Sequence, residues 1–212
     1  MGCLLKICGL TREADALACN AYRPDYAGLV FWERSKRYVT VTQAVKLRSI
    51  LDPSVKTVGV YVDPPIGEVV KAAQSGAIDI VQLHGQEDED YIRELRKVCG
   101  LPIMKAFRIS PETDFERINR SEADMILIDS GAGTGRTFDW EVLKKVKRPF
   151  FLAGGLSPDN AADAMRTGAW ALDVSSGVET DGRKDPEKIR LMTEIVRNGH
   201  KADDVPEQER KI

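Results

Sequence analysis

Short apolar runs alternate with longer amphipathic stretches along this chain, and the alternation repeats eight times. The runs fall at residues 4–7, 26–31, 57–62, 79–83, 102–107, 124–128, 150–153 and 169–174. Several are nearly continuous in Val, Ile, Leu and Phe, where a strand with one wet face would alternate. They predict parallel strands covered by helices on both sides. The intervening stretches carry helix start signals: Thr11 before an Ala-rich run to Asn20, Thr40 before residues 43–51, and Ser157-Pro158 before residues 160–165. An acidic run at 87–90 predicts the opening turn of the fourth helix, where carboxylates complement the positive end of the helix dipole. Asp185-Pro186 starts a last helix reaching Val196, after which residues 198–212 are polar and lack apolar periodicity. The chain therefore reads as one domain over residues 1–197, with a frayed or disordered tail at 198–212.

Eight strand–helix units can close into a barrel or spread into a doubly wound sheet. No Gly-x-Gly-x-x-Gly follows the first run, where a dinucleotide-binding sheet needs it. The glycines gather after the sixth, seventh and eighth runs, and phosphate sites after the last two strands are a habit of barrels. The expected fold is α/β, a single-domain (β/α)8 TIM barrel. Lys and Arg total 31 against 33 for Asp and Glu, a net charge of -2. Such a balance gives no electrostatic reason to expect nucleic acid or an anionic membrane as partner. No stretch of about 18 apolar residues exists, so no membrane span is expected. A small molecule is the expected partner. Cys3, Cys8, Cys19 and Cys99 form no Cys-x-x-Cys pair, and a chain of this size needs no disulfide to fold, which fits a reducing cytoplasm. His, Cys and carboxylate residues nowhere gather at metal-ligand spacing, so neither a metal nor another cofactor is expected. Barrels of this size occur as monomers and as homodimers, and the sequence does not choose.

In such a barrel the chemistry lies where strands end and loops begin. The first run ends Lys6-Ile7-Cys8-Gly9, placing Lys6 and Cys8 on one side of the strand. A neighbouring cation favours the reactive thiolate, while the alternative is a small buried hydrophobe. Arg34, Lys36 and Arg37 crowd the loop after the second run, either to grip an anion or as a solvated basic loop. Gln82 and His84 share a face after the fourth, with His84 lining the pocket. Asp129 ends the sixth run, as a partly desolvated proton donor or as a turn former before Ser130-Gly131. Gly154-Gly155 and Ser175-Ser176-Gly177 follow the last two runs and suit a phosphate held by backbone amides. Asp173 is a further rim carboxylate.

These fragments occur in a recognisable order. Lys6-Ile7-Cys8-Gly9-Leu10-Thr11, Ser35-Lys36-Arg37-Tyr38, Gln82-Leu83-His84-Gly85, Gly133-Thr134-Gly135 with Phe138-Asp139-Trp140, Gly154-Gly155-Leu156 and Asp173-Val174-Ser175-Ser176-Gly177-Val178-Glu179 together resemble the phosphoribosylanthranilate isomerase family over residues 6–195. The resemblance implies a cofactor-free Amadori rearrangement of N-(5'-phosphoribosyl)anthranilate in tryptophan biosynthesis. Asp129 would be the general acid and Cys8, as thiolate, the general base. Arg37 would hold the anthranilate carboxylate, Asp173 the sugar site, and Gly155, Ser176 and Gly177 the phosphate. Two departures touch loop closure and pocket shape: the glycine loop reads Gly131-Ala132-Gly133-Thr134-Gly135, and the third run ends Tyr61-Val62-Asp63 where members more often have Phe and Asn. Another phosphate-binding barrel enzyme would carry a metal set or a lysine and glutamate in place of Cys8 and Asp129. A catalytically silent phospholigand-binding barrel would lack one of the two, and both are present.

Overall fold

Eight parallel strands hydrogen-bond in sequence order and close on themselves in a computed structural model that describes residues 2–131 and 140–203. They are β1 (Leu4–Cys8), β2 (Tyr26–Val30), β3 (Lys56–Tyr61), β4 (Ile80–Leu83), β5 (Ile103–Arg108), β6 (Met125–Asp129), β7 (Phe150–Ala153) and β8 (Ala171–Val174). Closure sets Lys6 of β1 beside Asp173 of β8. The crossovers carry α1 (Glu13–Tyr22), α2 (Val41–Ile50), α3 (Ile66–Gln74), α4 (Glu89–Val98), α5 (Phe115–Arg120) and α6 (Ala161–Met165), and α7 (Pro186–Asp203) follows β8. Between β6 and β7 the described crossover holds a 3-10 helix, Trp140–Lys145. The strands match the eight apolar runs to within a residue or two, and the closed (β/α)8 barrel is the expected fold.

Several local expectations need correction. Thr40 does cap α2, accepting from Gln43 N. Thr11 does not cap α1: the cap is Arg12, and the buried Asp15 carboxylate reaches back to the N–H groups of Thr11 and Arg12. Ser157-Pro158 forms a turn before α6 rather than its start, because Asn160 Oδ1 accepts the Ser157 N–H and moves the cap to Asn160. Asp88 caps α4, with Glu89 and Asp90 in its first turn, but Glu87 lies outside the helix and is buried. Arg148, in the basic segment Lys144-Lys145-Val146-Lys147-Arg148 whose spacing suits the end of a helix, donates to the carbonyls of Ser121 and Ala123. The last helix continues past Val196 to Asp203. Arg197 holds that turn by donating to the carbonyls of Tyr22 and Arg23. The remainder of the tail, residues 204–212, lies outside the described residues.

Period-two alternation sorts each strand into a helix-facing and a barrel-facing set. The helix-facing set, including Leu5, Ile7, Leu29, Leu83, Ile103, Ile126, Ile128, Leu152 and Leu172, joins the helices in the main core. The barrel-facing set changes character along the axis. Its N-terminal end is apolar, with Val58, Ile80, Met104, Leu127, Phe151 and Ala171 packed together. Phe151 meets both Tyr26 and Trp170 edge-on, at ring separations of 5.3 and 5.2 Å. Two residues further along the same strands stand Gln82 and Asp173, with Lys6 and Asp129 on β1 and β6. The barrel is thus plugged at one end and polar at the other.

Candidate active site

The polar mouth contains a cavity of about 230 Å³ lined by Cys8, Gln82, His84, Asp129 and Asp173, with Gly154, Gly155, Ser175 and Ser176 on its remaining wall. Cys8 ends β1 opposite Gly28. A Cβ at Gly28 would come within 2.7 Å of the Cys8 sulfur, so that glycine clears the space in which the thiol sits. Ser175 Oγ donates to the Cys8 carbonyl at 3.0 Å and ties the ends of β1 and β8 together.

Lys6 does not attend Cys8 alone. Its ammonium, wholly buried, donates to Asp173 Oδ2 at 2.7 Å, and its charge also acts on the Cys8 thiol two residues along the same face of β1. Burial pushes the Cys8 thiol up from its ordinary range; Lys6 and Lys184 pull it down and Asp173 raises it further, leaving it raised. In the free protein burial, the largest effect, thus outweighs the pull of the lysine, whose charge is also engaged by Asp173.

Asp129 ends β6 facing Cys8 across the cavity. Its Oδ1 accepts the Gly131 N–H at 2.9 Å, and its Oδ2 lies 3.2 Å from His84 Nε2. Gln82 stands behind the ring, with its amide nitrogen 2.9 Å from Nδ1. An amide NH2 only donates, so Nδ1 accepts and Nε2 carries the proton aimed at Asp129. Burial would raise the Asp129 carboxyl, but the hydrogen bonds from His84 and Gly131 and the charge of Arg108 outweigh it and hold it below its ordinary value. Desolvation alone had suggested the opposite direction.

Arg37 is brought across the end of β1 by Gly9, whose φ of +84° excludes a side chain and where a Cβ would meet Arg37 Cδ at 2.3 Å. Its fork grips Glu179, Nε to Oε1 at 2.6 Å and Nη2 to Oε2 at 2.7 Å. Lys184, buried, donates to the same Oε1 at 2.7 Å and to the Ser175 carbonyl. Burial opposes ionisation of Glu179, yet the two cations hold its carboxyl down at about 2. That depression contributes stability that is fully present above the ordinary value near 4.5 and is lost as pH falls toward 2. Acid unfolding of Glu179→Gln should accordingly begin from a lower stability and lose less of it across that window. Equal acid sensitivity in both proteins, followed by circular dichroism, would remove Glu179 from the account.

The turns after β7 and β8 interlock. Gly154 and Gly155 have φ of +96° and +62°, and a Cβ on Gly177 would lie 1.8 Å from the Leu156 carbonyl oxygen. Among the described residues the N–H groups of Gly155, Ser176 and Gly177 are given no hydrogen-bond acceptor, which leaves them for a ligand. Gly177→Ala should force these turns apart, at a stability cost of about 1–3 kcal/mol, and weaken inorganic phosphate binding more than tenfold by calorimetry. Unchanged affinity would exclude the interlock as a ligand site.

Three features escaped the sequence reading. Lys184 and the pair formed by Lys105 and Glu87 lie buried beside the site, and Arg108 reaches toward Asp129 from the end of β5. A lysine inside an apolar strand, as in Ile103-Met104-Lys105-Ala106, was the available signal for one of them. Asp63 adopts a φ of +47°, a left-handed conformation that Asp tolerates as Asn does, so this departure leaves the turn after β3 intact. The loop fragments Gly133-Thr134-Gly135 and Phe138-Asp139 lie outside the described residues.

Fold and site together define a (β/α)8 barrel with a thiol, a histidine and two carboxyl side chains gathered around a cavity at its polar mouth. The family model described as N-(5'-phosphoribosyl)anthranilate (PRA) isomerase matches residues 5–195. The N-(5'-phosphoribosyl)anthranilate isomerase of Endomicrobium trichonymphae is 42% identical over 200 residues, covering 92% of this chain and 98% of the relative. The structure of the phosphoribosyl anthranilate isomerase of Thermotoga maritima superimposes with a TM-score of 0.83 at 34% identity, covering 92% of this chain and 99% of that one. A phosphoribosyl anthranilate isomerase in complex with reduced 1-(o-carboxyphenylamino)-1-deoxyribulose 5-phosphate gives 0.81 at 33%, with the same coverage. The chain belongs to the N-(5'-phosphoribosyl)anthranilate isomerase family, the isomerases of tryptophan biosynthesis.

Proposed function

We propose that this chain isomerises N-(5'-phosphoribosyl)anthranilate with Asp129 as general acid and Cys8 as general base. The observation that carries the assignment is the placement of these two groups around one cavity, beside turns with unspent N–H groups. The phosphate would rest on the amides of Gly155, Ser176 and Gly177, while Asp173 faces the sugar and His84 lines the site. Arg37 would receive the anthranilate carboxylate on the N–H groups that Glu179 leaves free.

Asp129 gives its proton to the furanose ring oxygen as the bond from that oxygen to C1 breaks, and the amine nitrogen's lone pair forms a cationic imine. That cation acidifies the neighbouring C2–H, so a modest base suffices. The Cys8 thiolate removes the C2 proton, the electron pair collapses into an enolamine, and tautomerisation gives the ketone. One turnover leaves Cys8 as thiol and Asp129 as carboxylate, the forms their surroundings favour in the free protein.

No step calls on a metal or redox cofactor. The four cysteines are free thiols, which suits a reducing cytoplasm, and the active unit is a monomer or a homodimer. The test is the loss of anthranilate-type fluorescence on mixing with freshly generated substrate. Absence of turnover by the wild-type chain would end this reading.

A further inference from the structure

Lys6 is a wholly buried cation that pairs with the Asp173 carboxylate at 2.7 Å and shares its face of β1 with Cys8, two residues on. Asp173 in turn has one unused valence. Its Oδ1 is buried and has no hydrogen-bond partner among the described residues, although the residue lines the cavity that Cys8 also lines. A carboxylate oxygen left bare in that position awaits a donor or a cation from a ligand.

The charges that face Cys8 can be placed. Lys6 lies beneath it on β1, and Asp173 beside that lysine on β8. Lys184 approaches from the short hairpin after β8 and shares the one carboxylate of Glu179 with Arg37 of the loop after β2, so that this trio keeps a positive charge. Asp129 and His84 stand across the cavity. The floor directly beneath the thiol, Lys6 with Asp173, is neutral. A thiolate added to it places a negative charge in a dry place that the trio does not offset enough to favour, since the thiol stays raised, and a cation arriving in the cavity restores the balance.

We propose that Lys6 and Asp173 form a gate that makes the Cys8 thiolate available only when a cationic intermediate is present. The cationic imine formed on ring opening docks against the free side of Asp173. This weakens the carboxylate's hold on Lys6, whose ammonium then stabilises the thiolate as the thiol proton leaves to solvent. Lys6 is a positioning residue, since it reaches the reacting atoms only through Cys8 and Asp173. The device ties deprotonation at C2 to the prior opening of the ring and keeps a reactive thiol masked in the empty enzyme. It rests on the assignment of Cys8 as the base.

The test follows alkylation of Cys8 by iodoacetamide against pH in the full-length protein, read by peptide mass spectrometry, with Cys8→Ser as the blank. Asp173→Asn removes the competitor and leaves Lys6 to Cys8 alone. Alkylation of Cys8 at neutral pH should then be at least tenfold faster than in wild type, while kcat falls at least tenfold because the gate and the imine partner are gone. Lys6→Met should slow both alkylation and turnover. Opposite signs for thiol reactivity and kcat in Asp173→Asn are not produced by general loosening of the fold, which a thermal melt checks in parallel. Alkylation in Asp173→Asn that is unchanged or slower would overturn the gate. Full kcat in Cys8→Ser would instead overturn the base assignment, so the two failures are distinguishable.

Discussion

Asp129→Asn should lower kcat by about 10²- to 10⁴-fold, the usual contribution of a positioned general acid, with KM for the phosphorylated substrate changed only a few-fold. The amide keeps the size and can still accept one of the two donors, the Gly131 N–H or the His84 Nε2–H, on its single oxygen, but it has no acidic proton to give to the ring oxygen. Cys8→Ser should fall by a comparable factor for the complementary reason, that a hydroxyl in the same dry place does not ionise in the working range. Because the groups serve successive steps, the double variant should not multiply the losses. Fluorescence-monitored turnover gives kcat and KM, and calorimetry with inorganic phosphate shows whether the turns after β7 and β8 still bind. Near-normal kcat in either single variant would remove that residue from its role, whatever the outcome for the other.

The barrel was legible because its cause is local and repetitive: eight apolar runs of strand length, each followed by a helix-length amphipathic stretch, and glycines after the late strands. Positions at strand ends were legible for the same reason, since period two places Cys8, Asp129 and Asp173 at the mouth without any coordinates. What the sequence concealed was pairing. Lys6 lies next but one to Cys8 in sequence, and proximity alone suggested an ionised thiol; its stronger partner, Asp173, comes 167 residues later and arrives only when β8 closes on β1. Asp129 shows the same limit. Burial could be inferred from the apolar strand that ends in it, but not the donors that reverse its effect, because His84 and Arg108 come from other strands. Glu87 looked like one more acid at a helix start, although the helix begins two residues later, at Glu89, and the side chain is buried.

That burial sets the largest expected effect on stability. Glu87 and Lys105 are buried, with Nζ 2.7 Å from Oε2, and Lys105 also donates to the Gly85 carbonyl at 2.8 Å. Glu87 further accepts the N–H groups of Asp63 and Gly85. The pair therefore knots the turn after β3 to the turn after β4, and that second turn begins at His84. Lys105→Met keeps the bulk of the stem but strands a buried carboxylate, for which breaking one side of such a pair costs about 3–5 kcal/mol. Glu87→Gln strands the ammonium instead, though the amide oxygen still takes one backbone donor. The double variant has no buried charge to strand, so it should be more stable than Lys105→Met alone, giving a coupling of opposite sign to the single losses. Urea unfolding of the four proteins closes the cycle. Additive losses would mean that the two side chains do not act as a pair. A full-strength isomerase in Lys105→Met would show that the knot serves the fold and does not aim His84.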